Sequence, residues 1–344
     1  MAFQLGVYSF GNTPLEPDGS TGRTGQAIRD LIEAIQLAEA VGLDFFGIGE
    51  HHTLNMPVSS PASVINAAAA VTHRIGLGST VTVLSTDDPI RVYQQHATAD
   101  ALAPGRVEIT AGRGSSVDSF PLFGYHLEDY DALYASKLDL LLAVNRQERV
   151  TWKGPYRDVP LEDALVVPRA ERPLKIWLGT GGNPESSVRA GTLGLPVAYG
   201  ILSGRAEQWA GMASLYREAG RRAGHDPAVL DVAVASHGFI AEDGDQARET
   251  FFQHEVAAMA AHAGARGMPR PGRSRLEANY GPGGMVFAGS PAEIARRLVD
   301  FQWVLGHSRQ IIQMDLGHMP QAQVLRSIEL LGTQVLPMMR DALA

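Results

Sequence analysis

The chain has 344 residues, of which 45% are hydrophobic and 19% charged, with a formal net charge of −8, as is typical of a globular protein with a large core. The negative charge without a basic tract argues against a nucleic-acid partner, and the absence of cysteine excludes disulfides, thiolate metal sites and a cysteine nucleophile. The sequence shows neither a secretory leader nor an apolar run of about 18 residues, so we predict a cytoplasmic protein with no membrane partner.

Strand-like and helix-like segments alternate along the chain. Short apolar runs predict strands at residues 3–9, 44–52, 75–84, 106–111, 174–178, 196–201, 230–240 and 310–315. Apolar residues at helical spacing predict helices between them, including an alanine-rich helix at 61–71 and a long helix at 130–141. Two stretches interrupt the alternation. Residues 150–172 are predicted to form an inserted hairpin, and residues 264–284, rich in Gly, Pro and Arg, a mobile insertion near the active-site end.

This alternation predicts an α/β fold, a single (β/α)8 TIM barrel domain over residues 1–344. A doubly wound open sheet is the alternative, although such a sheet usually has fewer strands. In a barrel the residues that follow the strands converge on one mouth. The polar residues at these positions are Glu50, His51, Thr80, Arg113, Thr180 and Asp315.

The second predicted strand ends in a carboxylate and two imidazoles. Because side chains alternate along a strand, Phe45, Gly47, Gly49 and His51 share one face. Glycines clear space there, so His51 is a candidate catalytic group beside a ligand. Glu50 lies on the other face with His52, where it either orients an imidazole or forms a structural salt bridge. Neighbouring strand residues point apart, so the two histidines do not suit one metal ion, and we predict no metal site.

The turn after the fifth predicted strand contains three glycines and then a helix start. Backbone N–H groups of Gly181 and Gly182, with Asn183 as helix cap and the Ser186 hydroxyl, would bind a phosphate. Arg113 would reach that phosphate as a forked donor. The alternatives are an ordinary strand-to-helix turn and a rim salt bridge. Phosphate sites on the later strands of such barrels favour the first interpretation.

Several motifs in this order resemble the bacterial luciferase-like flavin-dependent monooxygenases. They comprise Glu50-His51-His52, residues 75–85, Asp88-Pro89-Ile90-Arg91, Gly112-Arg113-Gly114, residues 181–186, and residues 315–317 with 327–330. The resemblance covers most of the chain. It implies a (β/α)8 barrel that binds FMN, or in one branch the deazaflavin coenzyme, and a homodimer formed through helices such as the alanine-rich one.

The resemblance also assigns residue roles. His51 would lie beside the reactive edge of the flavin, and Thr80 and Val81 would lie against its ring, at a peptide that is often cis in the family. Gly182, Asn183, Ser186 and Arg113 would contact the phosphate. Gly112 stands where luciferase itself has a reactive thiol, so this chain departs from luciferase there and is not expected to emit light.

The expected activity is that of an FMN-dependent monooxygenase. Reduced flavin, supplied by a separate NAD(P)H:flavin reductase, and dioxygen would oxidise a small organic substrate, with an imidazole in the proton relay. The alternatives are hydride transfer with the deazaflavin coenzyme, a non-catalytic FMN-binding protein, and a metal hydrolase. Candidate lining residues of the substrate pocket, for each of which a structural role is the alternative, are Tyr125, His126, Asp315 and His318.

Overall fold

The computed structural model describes residues 3–13, 20, 22–114, 119–265, 273–281 and 283–343. Part of the predicted insertion at 264–284 therefore lies outside the described residues. No helix within these ranges is both long enough and apolar enough to cross a membrane.

Parallel strands form a closed barrel. In chain order the strands of the described residues are β1 Gln4–Ser9, β2 Phe45–Ile48, β3 Gly76–Ser79, β4 Thr82–Val83, β5 Val107–Gly112, β6 Arg149–Trp152, β7 Leu161–Leu165, β8 Lys175–Thr180, β9 Val197–Ile201, β10 Val232–Ile240, β11 Val286–Gly289 and β12 Arg309–Gln313. Neighbours run β1-β2-β3-β5-β8-β9-β10-β12, and β12 pairs back to β1, which closes the ring. The predicted (β/α)8 barrel is confirmed.

Helices follow the strands. The helices of the described residues are α1 Thr24–Ala40, α2 Pro61–Val71, α3 Pro89–Leu102, α4 Ser119–Leu122, α5 Tyr130–Arg146, α6 Pro184–Leu193, α7 Ala206–Arg222, α8 Gly244–Ala265, α9 Arg273–Glu277, α10 Pro291–Leu305, α11 Gln321–Leu330 and α12 Leu336–Leu343. The predicted hairpin is also present, because β6 and β7 pair antiparallel.

The third predicted strand is interrupted. β3 stops at Ser79 and β4 resumes at Thr82, and the Thr80–Val81 peptide between them is cis. β3 pairs with β2 and β5, whereas β4 pairs with β5 alone. The break places the Thr80–Val81 peptide at the carboxyl end of the barrel.

The seventh barrel unit contains an additional strand and an additional helix. Alternation of strands and helices predicts that the helix after the seventh strand joins the outer ring, and that helix is α8. However, α10 packs between α7 and α12 in the outer ring, while α8 packs on β10, β11 and α9. The additional strand β11 was not predicted. Helical periodicity predicts a helix but not the surface on which it packs. Only the fold shows that α8 is not part of the outer ring of helices.

Candidate active site

The barrel interior near β2, β5 and β8 is lined by glycines that accommodate the Thr80–Val81 segment. A Cβ on Gly47 would lie 2.6 Å from the Thr80 side chain. On Gly112 and Gly179 it would lie 2.5 and 2.6 Å from the methyl groups of Val81. The glycines of the second strand were expected to clear space for a ligand, but the side chain of Thr80 fills the space over Gly47. The close approach that these glycines indicate is made by the chain itself.

His51 lies at the end of β2 against an aromatic ring. The rings of Phe10 and His51 are 4.7 Å apart, and a Cβ on Gly49 would lie 2.1 Å from the Phe10 ring. The backbone N–H of His51 donates to the carbonyl of Val58 at 2.9 Å. The absence of a side chain at Gly49 leaves room for the Phe10 ring, and this ring packs against the half-buried imidazole of His51.

The strand predicted over residues 44–52 ends at Ile48, so Glu50 follows it, but Glu50 and His52 contact each other, as expected of residues that share a side. One carboxylate oxygen lies 3.0 Å from His52 Nε2, and the other accepts from the Val83 N–H at 2.8 Å. These contacts tie the end of β2 to β4, next to the Thr80–Val81 peptide. They fit the positioning or structural role that was weighed for Glu50 from the sequence.

The predicted phosphate-binding residues converge around the start of α6. Arg113 Nη2 donates to Ser186 Oγ at 3.3 Å, and the guanidinium lies 5.2 Å from the Tyr130 ring. Asp131 pairs with its other nitrogen. The structure thus brings a cation from the end of β5 to a hydroxyl on the first turn of α6.

The turn before α6 has the backbone expected of an anion site. Asn183 caps the helix, its Oδ1 accepting from the Glu185 and Ser186 N–H groups at 2.8 and 3.3 Å. Gly182 has a φ of +95° and lies against the Trp209 indole, so glycine suits it on both counts. A Cβ on Gly181 would meet no atom within 4 Å, which leaves its backbone open to a ligand.

A phosphate-tailed flavin fits these residues. The Arg113 guanidinium and the N-terminal end of α6 provide positive charge for a phosphate. Near the ring position, Thr80 Oγ1 is buried without a hydrogen-bond partner among the described residues, a donor that a polar ring edge would satisfy. Arg113, the N-terminal end of α6 and Thr80 together suit a ligand with an anionic group at one end and hydrogen-bonding atoms on its ring. Within the described ranges, no group of three or more His, Asp or Glu side chains is placed to hold a metal ion.

Polar residues line the opposite side of the mouth, at β1 and β12. The Ser9 hydroxyl donates to Asp315, and Gln313 Nε2 donates to its other oxygen at 3.2 Å. Burial raises the pKa of the Asp315 carboxyl, while the Ser9 hydrogen bond acts in the opposite direction. Asp315 therefore lies at the mouth, as predicted.

The other candidate pocket residues lie in different surroundings. His318 Nδ1 lies 2.5 Å from the Thr13 carbonyl, and the backbone N–H of His318 donates to Asn12 Oδ1 at 2.8 Å. These contacts connect the loops after β12 and β1. The Tyr125 ring lies 4.0 Å from Nζ of the buried Lys137, which donates to the Ser85 carbonyl. His126 is exposed and precedes the short turn Leu127–Asp129. The contacts of His318 and Tyr125 favour the structural alternative for these two residues.

The sequence reasoning missed three polar residues on the β10 side, namely the buried His237 and Glu255 and the half-buried Tyr280. His237 follows Ala233 and Ala235 at steps of two, so strand alternation places it on their face. That signal was present in the sequence. The contact with Glu255 depends on where α8 lies, which the sequence does not show.

Comparison with known proteins agrees with this architecture. A family model described as luciferase-like monooxygenase matches residues 8–313. The F420-dependent glucose-6-phosphate dehydrogenase of Beutenbergia cavernae is 34% identical over 179 residues, 49% of this chain and 51% of that protein. The 4-hydroxyprotoasukamycin monooxygenase of Streptomyces nodosus subsp. asukaensis is 26% identical over 349 residues, 96% of this chain and 91% of that protein.

Two solved structures share the fold. The monooxygenase RslO1 from Streptomyces bottropensis superposes with a TM-score of 0.81 at 23% identity, covering 97% of this chain and 99% of that one. The oxygenating constituent of 3,6-diketocamphane monooxygenase from Pseudomonas putida, solved with FMN, gives a TM-score of 0.77 at 17% identity over 98% and 99%.

Proposed function

The chain belongs to the luciferase-like monooxygenase family, a family of oxidoreductases, and on that premise we propose that it is an FMN-dependent monooxygenase acting on a small organic substrate. Reduced FMN would come from a separate NAD(P)H:flavin reductase. When bound, reduced flavin supplies the oxygen chemistry with dioxygen that amino-acid side chains lack.

The observation that carries the proposal is the arrangement of hydrogen-bond donors at the start of α6. Arg113 and Ser186 lie 3.3 Å apart beside an open glycine backbone, an arrangement suited to a terminal phosphate. FMN ends in such a phosphate. Thr80 and Val81 would support the ring, and the half-buried His51 would hold or move a proton at the ring edge.

Hydride transfer with the deazaflavin coenzyme is the second candidate. It is favoured by the relative of 34% identity, whose name states F420 dependence. A third candidate is a flavin-binding protein without turnover. Titrations with FMN and with the deazaflavin coenzyme, followed by fluorescence, separate the first two, and oxygen consumption with reduced FMN separates an oxygenase from a binding protein.

The phosphate site predicts how FMN and riboflavin differ. Since riboflavin lacks only the phosphate, we expect FMN to bind more tightly. Arg113→Ala should weaken FMN binding by roughly 10- to 100-fold, the loss expected for hydrogen bonds to a charged group, and should leave riboflavin affinity unchanged. Fluorescence titration of both ligands measures this difference.

The matched control is Asp131→Asn, which removes the other partner of Arg113 and keeps the cation. This variant should retain FMN binding. Equal affinity for FMN and riboflavin in the unchanged protein would contradict the assignment of the phosphate site.

A further inference from the structure

Helix α8 lies over the carboxyl end of the barrel on the side of β10 and β12. His254 on α8 reaches the Gly317 carbonyl, in the loop after β12, at 2.6 Å. A Cβ on Gly317 would lie 2.1 Å from the His254 carbonyl. The helix backbone therefore rests directly on that loop, and residues on the same side of α8 face the barrel mouth.

His237 and Phe239 of β10 both lie against Phe251 of α8, and His237 is the polar residue of the two. It lies two positions after Ala235, which packs with the interior residues Tyr8, Phe45 and Ile311. His237 is 3% exposed, and its Nδ1 has no hydrogen-bond partner among the described residues. A buried imidazole nitrogen without a hydrogen-bond partner is costly in a native structure, so the groups that face this nitrogen decide which form of the ring is stable.

Glu255 of α8 faces that nitrogen. Its Oε1 lies 3.9 Å from His237 Nδ1, and both side chains are almost fully buried. Its Oε2 accepts from the Tyr280 hydroxyl at 2.7 Å. Burial, and then the nearby Glu255 carboxylate, raise the pKa of Tyr280, so the phenol keeps its proton and continues to donate to Glu255.

This arrangement selects one form of the imidazole. With a hydrogen on Nδ1, the ring presents an N–H to the Glu255 carboxylate. With a lone pair on Nδ1, the ring would place two acceptors against each other. The Nδ1–H form is therefore favoured, and Nε2 is left as an acceptor. A carboxylate that orients an imidazole in this way is a common arrangement for a general base.

We propose that His237, oriented by Glu255 and Tyr280, accepts the proton of a hydroxyl group on the substrate. With Nδ1–H directed at Glu255, the ring nitrogen left for a ligand is Nε2, which is an acceptor, so the ligand supplies the donor. The substrate class that fits is a phenol or another hydroxyl-bearing compound. This inference deepens the proposed function and rests on it.

The proton transfer balances within the named groups. The substrate O–H bond breaks, its proton binds Nε2, and the electron pair stays on the substrate oxygen. Glu255 stabilises the resulting imidazolium, which returns the proton to the product or solvent. His51 remains the imidazole at the cofactor edge, so the two histidines serve different partners.

The tautomer is tested by NMR on protein labelled with 15N-histidine, with the His237 signals identified by their loss in His237→Gln. In the neutral ring of His237 we expect the hydrogen on Nδ1, and we expect a larger population of the other tautomer in Glu255→Gln. A neutral ring with its hydrogen on Nε2 in the unchanged protein would overturn the proposal. This readout needs no flavin, so its failure is distinguishable from a failure of the proposed function.

Substrate ionisation is tested with 4-nitrophenol, whose phenolate absorbs visible light, added to the FMN-loaded protein. We expect the bound probe to ionise at a pH where it stays a phenol in buffer, and His237→Gln to weaken this binding by roughly tenfold or more. His254→Gln, on the same helix, should bind like the unchanged protein. FMN affinity and circular dichroism verify that His237→Gln is folded.

Two results would overturn the assignment: no binding of 4-nitrophenol to the FMN-loaded protein, or equal ionisation of the probe by His237→Gln. Tyr280→Phe keeps the ring and removes only the donor to Glu255. It should shift the pH at which the probe ionises without abolishing binding, whereas a purely structural role for Tyr280 would leave that pH unchanged.

Discussion

At the scale of single residues, two buried histidines are uncharged. His96 on α3 and His307 before β12 are each 1% exposed. Burial lowers the pKa of His96 to about 4 and that of His307 to about 3, from 6.5 in both cases. His307 packs between Phe3 and Phe301, and both its nitrogens are without hydrogen-bond partners in the described part of the chain. These rings are tolerated only as neutral groups.

Acid should therefore destabilise the fold well before its carboxylates are protonated. Below pH 6.5 the unfolded chain takes up protons at these histidines and the folded chain does not, so stability falls as pH falls. Each histidine contributes a loss of about 1.4 kcal/mol per pH unit between 6.5 and its folded pKa. Urea unfolding at pH 7, 6 and 5 measures this slope.

The control is His307→Leu, which fills the same apolar site without a titrating group. The free energy of unfolding of this variant should fall less steeply as the pH is lowered, and at pH 7 it should be close to that of the unchanged protein. A slope equal to that of the unchanged protein would show that His307 is not the source.

At the scale of elements, the glycines of β2, β5 and β8 and the break between β3 and β4 form one packing unit. The side chain of Val81 occupies the space over Gly112 and Gly179, and Thr80 occupies that over Gly47. The sequence showed the glycines and the strand separately. Only their proximity explains why the interior positions of β5 and β8 lack side chains here.

Gly179→Ala should be destabilising because its Cβ would lie 2.6 Å from Val81 Cγ1 and 3.1 Å from Thr110 Cγ2. Overpacking of this kind costs about 1–3 kcal/mol. Val81→Ala removes the nearer methyl group, so the double variant should lose less stability than the sum of the two single variants. Thermal or urea unfolding of all four proteins measures the coupling, and simple additivity would contradict this packing.

At the scale of the whole molecule, charged groups link strands across the barrel floor. Arg309 of β12 pairs with both oxygens of Glu108 on β5 at 2.6 and 3.0 Å. The Trp177 indole on β8 donates to the same carboxylate at 2.7 Å. Burial opposes ionisation of Glu108, but the Arg309 charge and its hydrogen bonds leave the pKa of the carboxyl below its usual value. The pair joins strands that are not neighbours in the sheet.

Arg309→Met should destabilise the barrel by about 3–5 kcal/mol, because Glu108 would remain as a buried charge without its partner. Adding Glu108→Gln removes that charge and should recover part of the loss. Denaturant unfolding of the single and double variants measures both effects. A single variant as stable as the unchanged protein would contradict the role assigned to the pair.

The homodimer stays a prediction at this scale. The alanine-rich helix α2, on which it was based, packs against α3 within the same chain. Asn66 of α2 donates to the carbonyl of Gln95 on α3 at 3.1 Å. The small residues of α2 therefore have an explanation within one chain.

The sequence alone determined the alternation of strands and helices and the start of a helix at Asn183, and it predicted the barrel. Alternation and helix capping depend on hydrophobic periodicity and local backbone chemistry, which act over a few residues. The phosphate-binding role of Arg113, Gly182, Asn183 and Ser186 stays a prediction. The sequence also predicted that Glu50 and His52 share a side, and the two side chains contact each other.

Only the tertiary structure decided that Val81 packs over Gly112 and Gly179, that α8 lies over the barrel mouth, and that His237 faces Glu255. Each of these contacts joins segments distant in the chain, and their approach depends on how the whole ring of strands closes. The physical reason is that periodicity specifies which face of an element is buried, whereas the partner of that face is set by the packing of all the other elements.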